Sequence, residues 1–191
     1  MKYSQILARL LAVAVMLPAI ASAAWTLEPT HTNIAFEVDH LGLTKTPGQF
    51  RKFDAQVTFD EVNVEKSRVT FTIETASIDT LSTARDTELR GEKWLDAGRF
   101  PNITFASRSV RRVDANRIVI SGDLTIRGKT LPVDFEARIT NRIENPFLKV
   151  PSVGLVASTN IRRTAFGVAE YLPAIGDEVT LRVQTELNKA P

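Results

Sequence analysis

The sequence predicts an all-β protein, an antiparallel eight-stranded barrel with one short helical lid segment. Apolar and polar residues alternate with a period of two along about eight segments, and only one short segment has a helical pattern. The apolar face of such a sheet must be covered, and this chain offers no helices long enough to cover it. The sheet is therefore expected to close on itself, and a β-sandwich is the structural alternative.

The predicted strands are rich in β-branched and aromatic residues, as half-buried strands require. In chain order, the residues that share the apolar face of each strand are Ile34, Phe36 and Val38; Ala55, Val57 and Phe59; Val69, Phe71 and Ile73; Ile103 and Phe105; Ile118, Ile120, Leu124 and Ile126; Leu131, Val133, Phe135, Ala137 and Ile139; Leu155, Ala157 and Ile161; and Val179, Leu181, Val183 and Leu187. Alternation does not distinguish a filled interior from a hollow one.

One hairpin is specific enough to predict its register. A two-residue turn at 128–129 would set Ile126 opposite Leu131 and would place every apolar residue of the two strands on one face. Pro132 lacks the N–H group that this turn would use for a cross-strand bond. A four-residue loop over 127–130 keeps the same facing pairs without that bond, and it is the preferred prediction.

The helical segment covers residues 82–90. It has a serine or threonine N-cap at 82 or 83 and a stop at Gly91, and Asp86 and Arg90 are spaced to form an ion pair. A helix this short needs packing to be stable. The residues expected to pack it against one end of the sheet are Leu81, Leu89, Trp94 and Leu95.

The chain divides into a signal peptide, residues 1–23, and one domain, residues 24–191. Lys2 and Arg9 precede an apolar run that ends in the small-residue cleavage pattern Ala21-Ser22-Ala23. The run is shorter than the roughly 20 residues that span a bilayer, so we expect export and no stable membrane insertion after cleavage. Residues 188–191 are expected to form a disordered tail.

Charge and composition exclude several classes of function. The chain has 24 Lys and Arg against 22 Asp and Glu, and removal of Lys2 and Arg9 with the signal peptide leaves equal numbers. An electrically neutral domain has no field to attract nucleic acid. There is no cysteine, no GxSxG motif and no HxxxH spacing, so neither an enzyme nor a metal site is predicted.

Two polar residues continue the apolar side of their strands. His40 follows Ile34, Phe36 and Val38, and Arg163 follows Ile161 with the same parity. If the strands continue without a break, both side chains point inward at strand ends, where they could hold the polar head of a ligand. If the strands have ended, each side chain turns outward to water.

Several motifs together resemble the YceI family of exported, lipocalin-like, polyisoprenoid-binding proteins, from Trp25 to about Leu187. The motifs are Thr30-His31-Thr32 with Ile34, Phe36 and His40; Gly48 and Phe50; Ile78-Asp79-Thr80 with Arg85-Asp86 and Leu89-Arg90; Phe100-Pro101 with Ile103-Thr104-Phe105 and Ser107; GDLTIRG at 122–128; and Ile161-Arg162-Arg163 with Phe166-Gly167, then Ile175-Gly176-Asp177. The chain departs from the family at Trp94-Leu95-Asp96, where a Phe-Phe-Asp-like step is usual.

The resemblance implies a lipocalin-like, periplasmic barrel with an apolar tunnel for an isoprenoid, a quinone-like molecule or a fatty-chain lipid, with no other cofactor and with a homodimer as a possible assembly. Of the polar candidates, His40 and Arg163 are expected to select the head group, and Arg85 is a weaker third on the lid side. The predicted ligand-binding residues are Phe36, Val38, His40, Phe59, Phe71, Ile73, Arg85, Phe105, Leu124, Ile126, Phe135, Ile161 and Arg163. The alternatives are a stress-response or interaction protein with a filled barrel and a lipid-modifying enzyme.

Overall fold

The computed structural model describes residues 24–190, so the predicted signal peptide, residues 1–23, lies outside the described part of the chain. The described part consists almost entirely of β-strands, with one α-helix. Its elements are β1 (Trp25–Leu27), β2 (Asn33–His40), β3 (Thr44–Phe50), β4 (Phe53–Thr58), β5 (Arg68–Glu74), β6 (Ile78–Asp79), α1 (Thr83–Arg90), β7 (Asn102–Arg112), β8 (Arg117–Ile126), β9 (Lys129–Glu144), β10 (Pro151–Arg162) and β11 (Ile175–Lys189).

The sheet closes into the predicted eight-stranded antiparallel barrel. Its strand order is β1-β4-β5-β7-β8-β9-β10-β11, and a further pairing of β1 with β11 completes the ring. The segments β2, β3 and β6 form a second row that continues β1, β4 and β5 beyond a 3-10 turn or a bend. Each of those three barrel strands is therefore interrupted once. No helix within residues 24–190 is long and apolar enough to cross a membrane.

The predicted hairpin exists, but both predictions of its turn are wrong. The turn is Arg127-Gly128, and it pairs Ile126 with Lys129 and Leu124 with Leu131. Arg127 and Gly128 have φ values of 52° and 71°, the left-handed conformations that a type I′ turn requires at both positions. The shift from the predicted pairing is two residues, so the apolar residues still share one face.

Pro132 explains why this register is acceptable. It faces Asp123 in the observed pairing. Hydrogen-bonded and non-hydrogen-bonded pairs alternate along an antiparallel ladder, counted from the bonded pair that closes a two-residue turn. The pair of Asp123 and Pro132 is then a non-bonded one, and no cross-strand N–H is missing there.

The helix begins and ends where the sequence predicts, but the predicted Asp86–Arg90 ion pair does not form. Ser82 caps the first turn, with its Oγ accepting from the Arg85 N–H at 3.5 Å. The Asp86 carboxylate instead accepts from the backbone N–H and the hydroxyl of Thr80, at 2.8 and 2.6 Å. Arg90 donates to the carbonyl oxygens of residues 76 and 78. Each side chain therefore has other partners.

Two further predictions about packing are wrong. Leu81 does not anchor the helix, because 85% of its surface is exposed; Trp94, at 7%, does. The C-terminal residues do not form a disordered tail up to the last described residue. β11 continues to Lys189, and the buried Asn188 accepts a hydrogen bond from Ser152 Oγ at 2.5 Å.

The two ends of the barrel differ. One end, called the helix end below, carries α1 and the turns at 41–43, 127–128 and 163–174, and Arg127 ties it together through the carbonyl oxygens of Gly167 and Glu92. The opposite end carries residues 24 and 190, the two ends of the described part of the chain, and is filled by a tight apolar cluster. There the rings of Trp25 and Phe59 meet edge to face at 5.3 Å.

Candidate ligand-binding site

An apolar cavity of about 370 Å³ runs inside the barrel. This volume lies within the range of about 300–1,000 Å³ that is typical of small-molecule sites. The predicted ligand-binding residues, from Phe36 on β2 to Arg163 after β10, all lie on its wall. Strand parity is the reason, because alternate residues of a barrel strand face the interior. The interior is hollow, in contrast to the filled-barrel alternative.

Glycines keep the phenylalanine-rich interior open. Phe36 faces Gly48 across β2 and β3, and the end of its ring occupies the space that a Cβ at Gly48 would need. The ring of Phe105 occupies the corresponding space at Gly122, where a Cβ would lie 2.6 Å from Phe105 Cε2. Because each ring packs onto bare backbone, it lies against the wall and leaves the centre of the barrel free.

Replacing Gly48 with alanine is expected to weaken ligand binding more than it weakens folding. The methyl group would displace the end of the Phe36 ring, and the cavity that this ring lines is the free space next to it. We expect affinity for a long-chain lipid to fall roughly tenfold, which corresponds to about two methylenes that are no longer buried. Titration with a fluorescent lipid, alongside urea unfolding, measures both effects.

Gly98→Ala is the matched control, because a Cβ there meets nothing within 4 Å. Equal affinities for the two variants and the wild type would show that the Phe36 ring does not limit the cavity.

The two ends of the cavity differ in their lining. At the opposite end the wall includes the buried Phe59, Val64 and Val110, together with the exposed Thr58 and Arg68. At the helix end, four exposed side chains join the wall, those of His40, Arg85, Glu88 and Tyr171. This opening at the helix end is called the mouth below.

Arg163 is at the mouth end of the cavity, but its hydrogen bonds favour a structural role over the predicted contact with a head group. The side chain is buried, and four of its five N–H groups donate to main-chain oxygens. The acceptors are Gly176, Val168, Glu170 and Ile175, at 2.8 to 3.1 Å. The guanidinium also lies over the Trp94 ring at 5.4 Å. It thus holds the loop over 168–176 against the lid.

The charge of Arg163 persists despite burial. Burial lowers the pKa of the guanidinium below its ordinary value, and the negative charges of Asp177 and Glu170 oppose that shift. Arginine does not lose its proton in proteins, so the side chain remains a cation with its carbonyl partners around it.

His40 and Arg163 do converge on one end of the barrel. His40 faces Ile175 across β2 and β11, and Arg163 Nη2 donates to the Ile175 carbonyl at 2.8 Å. His40 itself is exposed at the mouth. Its side chain is therefore available to a ligand, whereas that of Arg163 is largely occupied.

Arg85 is better placed for an anion than its position in α1 alone suggested. Its Nε donates to Thr80 Oγ1 at 2.8 Å and its Nη2 to the Thr80 carbonyl at 2.6 Å, which fixes the guanidinium at the mouth. Within residues 24–190 no carboxylate lies within 4 Å of it. The remaining N–H groups can point toward a bound head group.

Sequence reasoning missed part of the mouth. Glu88 accepts a hydrogen bond from Trp94 Nε1 at 3.3 Å, and the Trp94 ring packs against Tyr171 at 6.0 Å. The sequence pattern indicates only a packing role for Trp94, and it does not indicate Glu88 or Tyr171 as site residues. These residues lie on the helix and in loops, where no period-two pattern indicates which way a side chain points.

Comparison with known proteins gives consistent matches over this domain. The model of the YceI-like domain matches residues 25–187. Protein YceI of Escherichia coli O6:H1 is 35% identical over 159 residues, which covers 83% of this chain and 82% of that protein.

Solved structures show the same fold. The crystal structure of BcnA from Burkholderia cenocepacia has a TM-score of 0.76 at 24% identity and covers 84% of this chain and 99% of that one. A polyisoprenoid-binding domain from Saccharophagus degradans has a TM-score of 0.64 at 11% identity and covers 88% of this chain and 99% of that one.

Proposed function

This chain belongs to the YceI family, as its motifs predicted, and on that premise we propose that it binds a long-chain isoprenoid or a similar amphiphilic lipid inside its barrel. The family consists of binding proteins rather than enzymes, so the prediction that the chain is not an enzyme is confirmed. The observation that carries the proposal is the apolar cavity of about 370 Å³, which reaches a polar mouth at the helix end of the barrel. The polyisoprenoid-binding domain from Saccharophagus degradans, which has the same fold, supports it.

Burial of the tail supplies the affinity. Each methylene moved out of water contributes about 0.8 kcal/mol, so a ~20-carbon chain would gain roughly 16 kcal/mol before the cost of ordering is subtracted. A largely apolar wall gives little discrimination between tails of similar width. Selectivity must then come from the mouth.

The proposed head-group contacts are His40 and Arg85. A guanidinium suits a phosphate or a carboxylate, and an imidazole can hydrogen-bond a quinone oxygen. Arg163 acts through its neighbours, because it fixes the carbonyl of Ile175, which faces His40. The same amphiphile thus meets an apolar wall with its tail and polar donors with its head.

The proposed place of action is the periplasm, where the protein would sequester or carry its lipid. The pattern of residues 1–23, with charged residues first, an apolar run next and small residues last, supports export. The neutral charge balance of the remaining chain fits a ligand that is bound mainly by burial.

Mass spectrometry of the protein purified without detergent, before and after extraction with organic solvent, tests the proposal. We expect the native protein to carry an extractable amphiphile with a long hydrocarbon chain, and the extracted protein to rebind a prenyl lipid. Native protein that carries no lipid, together with stripped protein that binds neither farnesol nor farnesyl phosphate, would contradict the proposal.

Arg85→Gln is expected to weaken binding of farnesyl phosphate by roughly 10- to 100-fold, the equivalent of one lost charge-assisted hydrogen bond. Binding of farnesol, which carries no phosphate, should remain within about twofold of the wild type. Isothermal titration of the stripped protein with both ligands measures the difference, and an equal loss for both would show that Arg85 shapes the cavity rather than recognises the head.

A further inference from the structure

We propose that a ring of exposed apolar side chains around the mouth docks the barrel onto a lipid bilayer. The ring, called the apolar rim below, consists of Leu41, Leu43, Leu81, Tyr171 and Leu172. This inference rests on the proposed lipid ligand and adds the surface from which that ligand is collected or to which it is delivered.

The rim residues are strongly exposed. The exposed fractions are 54% for Leu41, 77% for Leu43, 85% for Leu81, 58% for Tyr171 and 42% for Leu172. They come from three separate segments: the turn between β2 and β3, the turn before α1, and the loop before β11. Scattered single apolar residues are common on protein surfaces, so exposure alone would carry no argument.

The backbone of the rim provides the second observation. Leu41, Leu81 and Tyr171 have φ values of 60°, 62° and 56°. The left-handed conformation is unfavourable for bulky residues, whereas glycine and asparagine adopt it readily. At three separate turns the chain therefore combines a strained backbone with a large apolar side chain that is mostly in water. At Leu81 the backbone N–H donates to Asp79 Oδ1 at 2.9 Å, which holds the turn, but the leucine side chain packs on almost nothing.

The rim surrounds the mouth. Leu41 directly follows the lining residue His40, and its N–H donates to the carbonyl of Ala174 at 2.7 Å. Leu81 directly follows Thr80, another lining residue, and Tyr171 lines the cavity itself. Tyr171 therefore joins the rim to the cavity wall, and Leu41 and Leu81 each lie one residue from it in the chain.

The arrangement of the rim around the mouth points to a bilayer as the occupant. Single side chains from three loops, arranged around an opening, form no groove that a folded partner would fill. They can enter a fluid interface independently, and leucine and tyrosine are suited to the boundary between head groups and hydrocarbon. With the rim inserted, a lipid chain would pass between bilayer and cavity without crossing water, which removes the main cost of its transfer.

The double variant Leu41→Asn/Leu81→Asn tests the proposal. Asparagine tolerates the left-handed conformation, so we expect stability to be unchanged or higher. Sedimentation with vesicles of phosphatidylcholine, which carry no net charge, measures docking. We expect the wild type to bind and the double variant to bind about 100-fold more weakly, at roughly one factor of ten for each leucine withdrawn from the interface.

The matched control is Val62→Asn/Phe147→Asn. These residues are 92% and 91% exposed but lie at the opposite end of the barrel. The control should bind vesicles as the wild type does. Equal losses in both variants, or a wild type that does not bind vesicles, would overturn the inference. So would a rim variant that changes a dimer into a monomer without affecting vesicle binding, because the rim would then be a contact between two copies of the chain.

Farnesol binding in the absence of vesicles separates this inference from the proposed function. Wild-type protein that binds farnesol but not vesicles would overturn the rim alone. Protein that binds vesicles through the rim but binds no lipid in solution would overturn the cavity proposal and leave the docking surface standing.

Discussion

Replacing Arg163 with methionine is expected to lower the free energy of unfolding by about 3–5 kcal/mol. The substitution removes the donor from four main-chain oxygens, and a buried acceptor left without a partner costs roughly 1–3 kcal/mol. Burial of the more apolar methionine offsets part of that sum. For a protein of this size the loss corresponds to a decrease in Tm of roughly 6–20 °C, which urea and thermal unfolding measure.

The adjacent Arg162 provides the control, because its side chain is exposed on the other face of the chain. Arg162→Met should change stability by no more than about 0.5 kcal/mol. If Arg163→Met were as stable as the wild type, the four hydrogen bonds would have no structural role. The guanidinium would then have to be regarded as a ligand contact, as the sequence had suggested.

The position of Arg163 also shows which features of a side chain strand parity can predict and which it cannot. Alternation left open whether Arg163 points inward or outward, depending on whether its strand continues. The strand ends at Arg162 and Arg163 begins a 3-10 turn, yet its side chain is buried on the cavity wall. Alternation gave no information about what meets the side chain there. The four acceptors lie in the loop over 168–176, and the conformation of that loop depends on contacts between segments that are far apart in the sequence.

The hairpin of β8 and β9 shows a second limit of the same pattern. An alternating pattern is unchanged by a shift of two residues, so the observed and predicted pairings both keep every apolar residue on one face. The turn at Arg127 and Gly128 determines which of the two registers forms. Arg127 adopts a left-handed conformation that its residue type does not favour, so no local signal in the sequence indicates the turn that forms.

The hollow interior also depends on the register of neighbouring strands. The phenylalanines and the glycines were both visible in the sequence, but the space for a ring arises only where one faces the other across two strands. Phe36 lies opposite Gly48 because β2 and β3 pair as they do. The strand residues of the wall were therefore predictable from their parity, whereas the residues of the mouth and the free volume that the wall encloses were not.

Replacing Ala157 with phenylalanine is expected to divide the cavity and to abolish binding of a long lipid chain. Ala157 faces Ala137 on β9 and Val183 on β11, and it packs against the apolar clusters of both ends of the barrel. A ring here would project into the middle of the cavity. If it excludes the distal three or four methylenes, affinity for geranylgeraniol should fall about 100-fold, at about 0.8 kcal/mol for each methylene.

The dependence on chain length makes this result specific to a tunnel. Geraniol, which needs only the half of the cavity next to the mouth, should bind Ala157→Phe almost as well as the wild type. Val156→Phe adds a ring on the outer face of the same strand and should bind both alcohols normally. The free energies of unfolding of the two variants, measured in urea, should differ by less than about 1–3 kcal/mol, which is the cost of an overpacked core. The difference should be small because the new ring of Ala157→Phe enters free space rather than occupied space. Equal loss of both alcohols would mean that the ligand does not extend past the centre of the barrel, and unchanged binding of both would mean that it does not enter the barrel.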